Sequence, residues 1–252
     1  MCSLPASMSN NKYYGLTKKC KFAQNETCHL TGFSFNAPNM YLTFCLLGII
    51  LGFFPLGLFF LLKKKLNPEI KLILPFIFLV FFSSFYELVF TILLRIDASV
   101  WFKIYPLFEF FILMYYFYKL LKGRYKYLYY FFGFLYLSCF GIIVLEGKIA
   151  RFMDGDSYLQ VIESVFVIIC VMLWMKYAFI NLKEDSLLKY PPFYFISGLL
   201  FYFSGTLFLF LFGNLILKEG SEAFLDSWML NLFFNIVFKI LLFIGIWKGQ
   251  TK

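Results

Sequence analysis

Seven apolar runs, each near the roughly 20 residues needed to cross a hydrocarbon layer of about 30 Å, constrain this chain more than any other feature. They fall at 40–62, 72–94, 99–121, 127–145, 159–181, 192–217 and 225–247, separated by short loops. A backbone in lipid must satisfy its hydrogen bonds internally, so each run is either a helix or one strand of a closed barrel. The sequence has no alternating ten-residue segments of the kind that build barrels. The expected fold is therefore all-α: a polytopic seven-transmembrane-helix bundle over residues 40–252, preceded by a polar tail at 1–39.

Composition closes off the soluble alternatives, because 62% of the 252 residues are hydrophobic and 38 are Phe. The net charge of +9 sits at the ends of the apolar runs, where topology and anionic lipid explain it and nucleic acid need not be invoked. The tail has no apolar core of signal-peptide length; it reads as a disordered extension, or alternatively as an over-called start with the functional protein beginning at Met40. Cys20 and Cys28 can pair if the tail is exported, and Asn25-Glu26-Thr27 is a glycosylation sequon that matters only in a eukaryotic secretory pathway.

Orientation follows from the cations of the loops. Lys63, Lys64, Lys65, Lys71, Lys119, Lys122, Arg124, Lys126, Lys176, Lys183, Lys189, Lys248 and Lys252 fall on one side; Arg95, Lys103, Lys148, Arg151 and Lys218 fall on the other. Thirteen against five predicts a cytoplasmic C-terminus and an outside start to the first span. Lys12, Lys18, Lys19 and Lys21 in the tail oppose its export.

Three carboxylates lie inside apolar runs. A charge in hydrocarbon costs roughly 2.5–3.5 kcal/mol on insertion scales, so each is expected to face protein or water. At 1.5 Å per residue, Glu87 lies roughly 10 Å, Glu109 roughly 10–15 Å and Glu163 roughly 6 Å inside the outer ends of the second, third and fifth runs. Tyr105 and Tyr116 share the helical face of Glu109; Ser83, Ser84 and Thr91 share that of Glu87; and Gln160 adjoins Glu163. Ser227, Asn231, Asn235 and Lys239 form a stripe at steps of four on the seventh run. Together they predict a polar ligand pocket, open outwards and closed towards the cytoplasm, lined by Glu87, Glu109, Glu163, Tyr105, Tyr116, Ser83, Asn231 and Asn235. The alternative is three separate contacts in which each carboxyl glues two helices together. Lys239, eight residues from Trp247, reads as snorkelling to the inner headgroups or as paired, and the absence of Trp from the sixth run argues against a retinal site.

Small residues mark close helix approach: Gly48 and Gly52 as GxxxG, and Ser197, Gly198, Ser204 and Gly205 as a stripe. Pro55 predicts a kink in the first helix. Catalytic patterns are absent: the one histidine, His29, is in the tail, and neither GxSxG nor a phosphate-cradling glycine loop occurs. Ala150-Arg151 and Asp154-Gly155-Asp156 read as a solvated outer loop. Cys45, Cys139 and Cys170 read as apolar packers, and no cofactor or metal is expected.

The segments YPLFEFFILMYYFYKLLK, VIESVFVIICVML and PPFYFISGLLFYFSGTLFLFLFGN resemble a family of free-standing, uncharacterised seven-helix membrane proteins from bacteria of the Bacteroidetes type, over about residues 40–250. The resemblance implies that Glu109, Glu163 and the segment 202–206 are family features, that the membrane is the bacterial inner one, and that the role is sensory, alongside a histidine kinase. Animal receptors are not resembled: no DRY follows the third run, and NLFFNIVFK stands where NPxxY belongs. Two functions stay open: a non-catalytic receptor-like or sensory/scaffold subunit signalling through a partner, and a small-solute or proton-coupled transporter using the carboxylates. The orientation predicts that a reporter active only in the cytoplasm works when fused after Lys252; activity of a periplasmic reporter at that point reverses the topology.

Overall fold

In the computed structural model, which describes residues 37–94, 99–145, 154–181, 187–219 and 221–250, the backbone is helical nearly throughout. The long helices are α1 (Ala37–Leu62), α2 (Leu74–Tyr86), α3 (Ser99–Leu120), α4 (Lys126–Leu145), α5 (Asp154–Asn181), α6 (Pro192–Glu219) and α7 (Ser221–Lys248). Six spans within α1, α2 with its continuation, α4, α5, α6 and α7 are long and apolar enough to cross a membrane, so the protein is an α-helical integral membrane protein. The helix α3 stands apart from those six. Its 22 residues reach about 33 Å, but Lys103, Glu109 and Lys119 interrupt its apolar sequence.

The helices run past the apolar stretches that announce them. Helix α1 begins at Ala37, three residues inside what the sequence assigned to the tail, because Pro38 is tolerated in a first turn where no intrahelical N–H bond is required. Helix α5 begins at Asp154, so the Asp154-Gly155-Asp156 stretch is helical and not a loop. Backbone hydrogen bonding does not stop where hydrophobicity does. The rest of the tail, with Cys20, Cys28, His29 and the sequon, lies outside the described residues.

The second span departs most from expectation. After Tyr86 the helix widens into a π-helix, Glu87–Leu93, closed by a bond from Leu94 N–H to the Val89 carbonyl at 2.9 Å. One extra residue per turn changes which side chains share a face, and π segments concentrate at functional positions.

Helix α1 packs against α2 and α7, α6 lies between α5 and α7, and α3 is held among α2, α4 and α5, which closes the bundle. Aromatic rings fill it. The ring of Phe110 on α3 stacks on Tyr136 of α4 at 4.1 Å and meets Phe166 of α5 at 5.2 Å. Phe76 of α2 meets Phe195 of α6 at 5.4 Å and Phe238 of α7 at 5.6 Å. Helix α4 is the outlying member: Tyr127, Tyr130 and Phe134 are 91%, 73% and 76% exposed, a surface suited to lipid.

At the end carrying Lys63–Lys65, loops are joined by backbone and tyrosine contacts. Leu66 pairs with Gln250 in an antiparallel bridge, and Asn67 N–H donates to the Gly249 carbonyl at 3.1 Å. The Tyr190 hydroxyl donates to Glu69, and burial, followed by that bond, holds the phenol proton well above its ordinary range. Lys248 donates to the Tyr194 hydroxyl at 2.6 Å, while Arg124 lies over the Tyr177 ring at 5.3 Å. Gly123, at φ 67°, ends α3 with its N–H on the Tyr118 carbonyl at 2.9 Å, a left-handed position that disfavours a side chain.

The small-residue expectations divide. A Cβ on Gly205 would lie 2.4 Å from the Phe234 ring, so the α6–α7 seam needs that glycine. In the GxxxG of α1 the two glycines differ: a Cβ on Gly52 would lie 1.8 Å from Ser84 Oγ, whereas one on Gly48 meets nothing within 4 Å. Gly52→Ala is therefore expected to cost about 1–3 kcal/mol in detergent unfolding, and Gly48→Ala to cost much less. Equal costs would show that the motif packs symmetrically.

Candidate functional site

Where α2 changes from α to π, the Glu87 N–H bonds to the carbonyls of Ser83 and Ser84, so both hydroxyls and the carboxyl are gathered into one turn. All three side chains are buried. Helix α3 brings Tyr105 and Glu109 one turn apart, and the Tyr105 hydroxyl donates to Glu109 Oε1 at 3.3 Å. Helix α6 contributes Tyr202, which hydrogen-bonds the Asn235 side chain of α7. One turn further along α7, Lys239 sends its ammonium across to α1 and donates to the Gly48 carbonyl at 2.8 Å.

These groups line one cavity of about 20 Å³, completed by Val80 and Phe238. That volume holds about one water. Sites for organic ligands are roughly 300–1,000 Å³, so this conformation has room for a water or a proton and not for a metabolite. The cavity is wrapped by rings. On α2 and α3, Tyr86 stacks between Phe90 at 4.7 Å and Trp101 at 4.9 Å, and Trp101 abuts Tyr105. Towards the lysine-bearing end, Phe238 backs onto Phe76 and Phe195, and Phe195 meets Tyr116 at 5.0 Å.

Of the eight residues expected from sequence, Glu87, Glu109, Tyr105, Ser83 and Asn235 line the cavity. Three do not. Tyr116 lies on the far side of Phe195, its hydroxyl has no hydrogen-bond partner, and its electrostatic neighbours are Tyr190 and Glu69 at the lysine-bearing end. A separation of seven residues keeps Tyr116 on the face of Glu109 but puts it about 10 Å away along the axis, beyond hydrogen-bonding reach. Asn231 is buried one turn from Asn235, and its Oδ1 finds no partner. Glu163 is fully buried behind the cavity, near enough to Glu109 for their charges to interact.

Three groups enlarge the expected set. Ser84 was already on the face of Glu87. Lys239 does not snorkel: it is 9% exposed, and its Nζ turns inward to Gly48, close to Gly52 and to the Ser84 that Gly52 makes room for. Of the two readings the sequence offered for it, snorkelling and pairing, the bond to Gly48 is the second, and its step of four from Asn235 was the signal. Tyr202 interacts electrostatically with all three carboxyls. As one of 18 tyrosines, only the resemblance pointed to it.

Chemically, the site is a neighbourhood of two carboxyls, one ammonium and two phenols, able to hold and exchange protons. Among the described residues no three His, Cys, Asp or Glu side chains come together to hold a metal ion. Comparison with protein-family models, with curated proteins and with solved structures finds no match for the chain.

Tyr105→Phe, Glu109→Leu and their combination are expected to yield a coupling energy near the 0.6 kcal/mol average, and at most the 1.7 kcal/mol, of roughly the range seen for hydrogen bonds in membrane proteins. Tyr116→Phe removes an unpartnered hydroxyl and is expected to leave stability unchanged. A measurable loss there would place a partner on Tyr116.

Proposed function

We propose that the chain is a seven-span protein of the bacterial inner membrane, outside at the start of α1 and cytoplasmic at its C-terminus, acting as a non-catalytic receptor-like or sensory subunit. In this reading α3 is the seventh span, shielded on three sides by α2, α4 and α5. The observation that carries it is the cavity holding Glu87, Glu109 and Lys239 at the centre of the bundle, where burying charge without a role is costly. A column of rings leads from the cavity, through Phe238, Phe195 and Tyr116, towards Tyr190 and Glu69 beside the basic loops. Those loops are where a cytoplasmic or membrane signalling partner, such as a histidine kinase, would dock. The signal is a change of charge in the cavity, and the volume supports a proton as stimulus over an organic ligand.

A proton-coupled carrier is the second reading, favoured by the same pairing of carboxyls with an ammonium. Vesicle reconstitution separates the two. A carrier shows proton or solute flux that Glu109→Gln abolishes, whereas a sensory subunit shows none. For the sensory reading, Trp174 is the reporter, because it stacks on Tyr190 at 6.1 Å near the basic end. With Trp174 as the sole tryptophan, acidification is expected to change its emission, and Glu109→Gln to remove that change while leaving the fold near normal. Emission that responds identically in both proteins would sink the proposal.

A further inference from the structure

Behind the cavity lies a carboxyl that the site described above does not use. Glu163 has no exposed surface, and neither of its oxygens has a hydrogen-bond partner. It does not line the cavity, yet its charge interacts with that of Glu109. Packing explains the proximity. Phe110, the residue after Glu109, meets Phe166, one turn beyond Glu163, at 5.2 Å. Tyr105 and Tyr202 each interact electrostatically with both carboxyls.

We propose that Glu109 and Glu163 form a coupled carboxyl pair that takes up and exchanges a proton, with Glu109 at the cavity wall and Glu163 as a sealed store behind it. Two carboxylates in one apolar neighbourhood repel, and a shared proton removes the repulsion. The exchange moves one proton from the Glu109 carboxyl to the Glu163 carboxylate. Glu109 is left as the carboxylate, Glu163 becomes the acid, and nothing else is consumed. The groups facing the pair are Glu87 from α2, Tyr105 from α3 itself, Tyr202 from α6, and Asn235 and Lys239 from α7. Gln160, one turn before Glu163, is buried on α5, α4 brings the ring of Tyr136 against Phe110, and α1 contributes the Gly48 carbonyl that holds Lys239. Such a pair serves a sensor and a carrier alike, so its test is independent of partner binding and of flux.

Infrared difference spectra of the full-length protein in lipid vesicles, recorded between acidic and alkaline buffer, test it. A carboxylic C=O band is expected that exchanges slowly in D2O, disappears in Glu163→Gln and shifts in Glu109→Gln. Retention of every carboxyl band in Glu163→Gln overturns the assignment, and a band unmoved by Glu109→Gln overturns the coupling. Should Glu163→Gln fail to fold, the unmodified protein still decides, because the lack of any slowly exchanging carboxyl band removes the sealed store.

Discussion

The bond from the Lys239 ammonium to the Gly48 carbonyl is the constraint on which the rest of the arrangement depends. A lysine at the centre of a helix costs roughly 2.5–3.5 kcal/mol to insert unless it finds polar company. Here it finds a carbonyl on a helix 191 positions away in the chain, and the bond sets how α1 and α7 lie against each other. Beside it, Gly52 answers to a different neighbour: a side chain there would collide with Ser84 of α2, while the lysine head lies at ordinary contact distance. Once the ammonium is committed there, carboxyls and hydroxyls gathered from α2, α3 and α6 have a cation to organise around.

The cavity is small because its walls are aromatic. Phe238, Tyr202 and Tyr105 close it, and each is pinned by further rings: Phe238 by Phe76 and Phe195, Tyr202 by Phe203 and Phe238, Tyr105 by Trp101. Rings in edge and stacked contact resist small displacements, because a packed interior has few voids to yield into. A polar neighbourhood held this way changes its charge more readily than its volume.

Much of this was legible beforehand. Periodicity in lipid placed the helices to within a few residues, and the steps of four and the depth of the carboxyls placed Glu87, Glu109, Tyr105, Ser83 and Asn235 together. The failures have local physical causes. Thr91 follows Glu87 by four residues in the π-helix, yet its hydroxyl is buried without a partner outside the cavity, so sharing a face did not bring it to the site. Tyr116 shares a face with Glu109 but not a depth. Glu163 points into its own dry contact beside the cavity, which sits between the pocket and the glue that sequence offered as alternatives. The stripe on α7 marked the side on which Lys239 pairs, but its acceptor, the Gly48 carbonyl, is on a helix far away in sequence, which no local pattern encodes.

The closure of the bundle also sets an order of assembly. Among the described helices α1 and α7 are the furthest apart in sequence, yet they pack together, Lys239 donates to the Gly48 carbonyl, and the Leu66–Gln250 bridge ties the turn after α7 to the loop after α1. Before α7 is made, α1 can take α2 beside it, with Ser84 against Gly52, but the Gly48 carbonyl has no ammonium to accept from. Contacts so distant in sequence form slowly and leave the intermediate open to wrong partners. The side of α1 around the Gly48 carbonyl therefore stays uncovered for as long as the stretch of chain between α1 and α7 takes to be made and inserted.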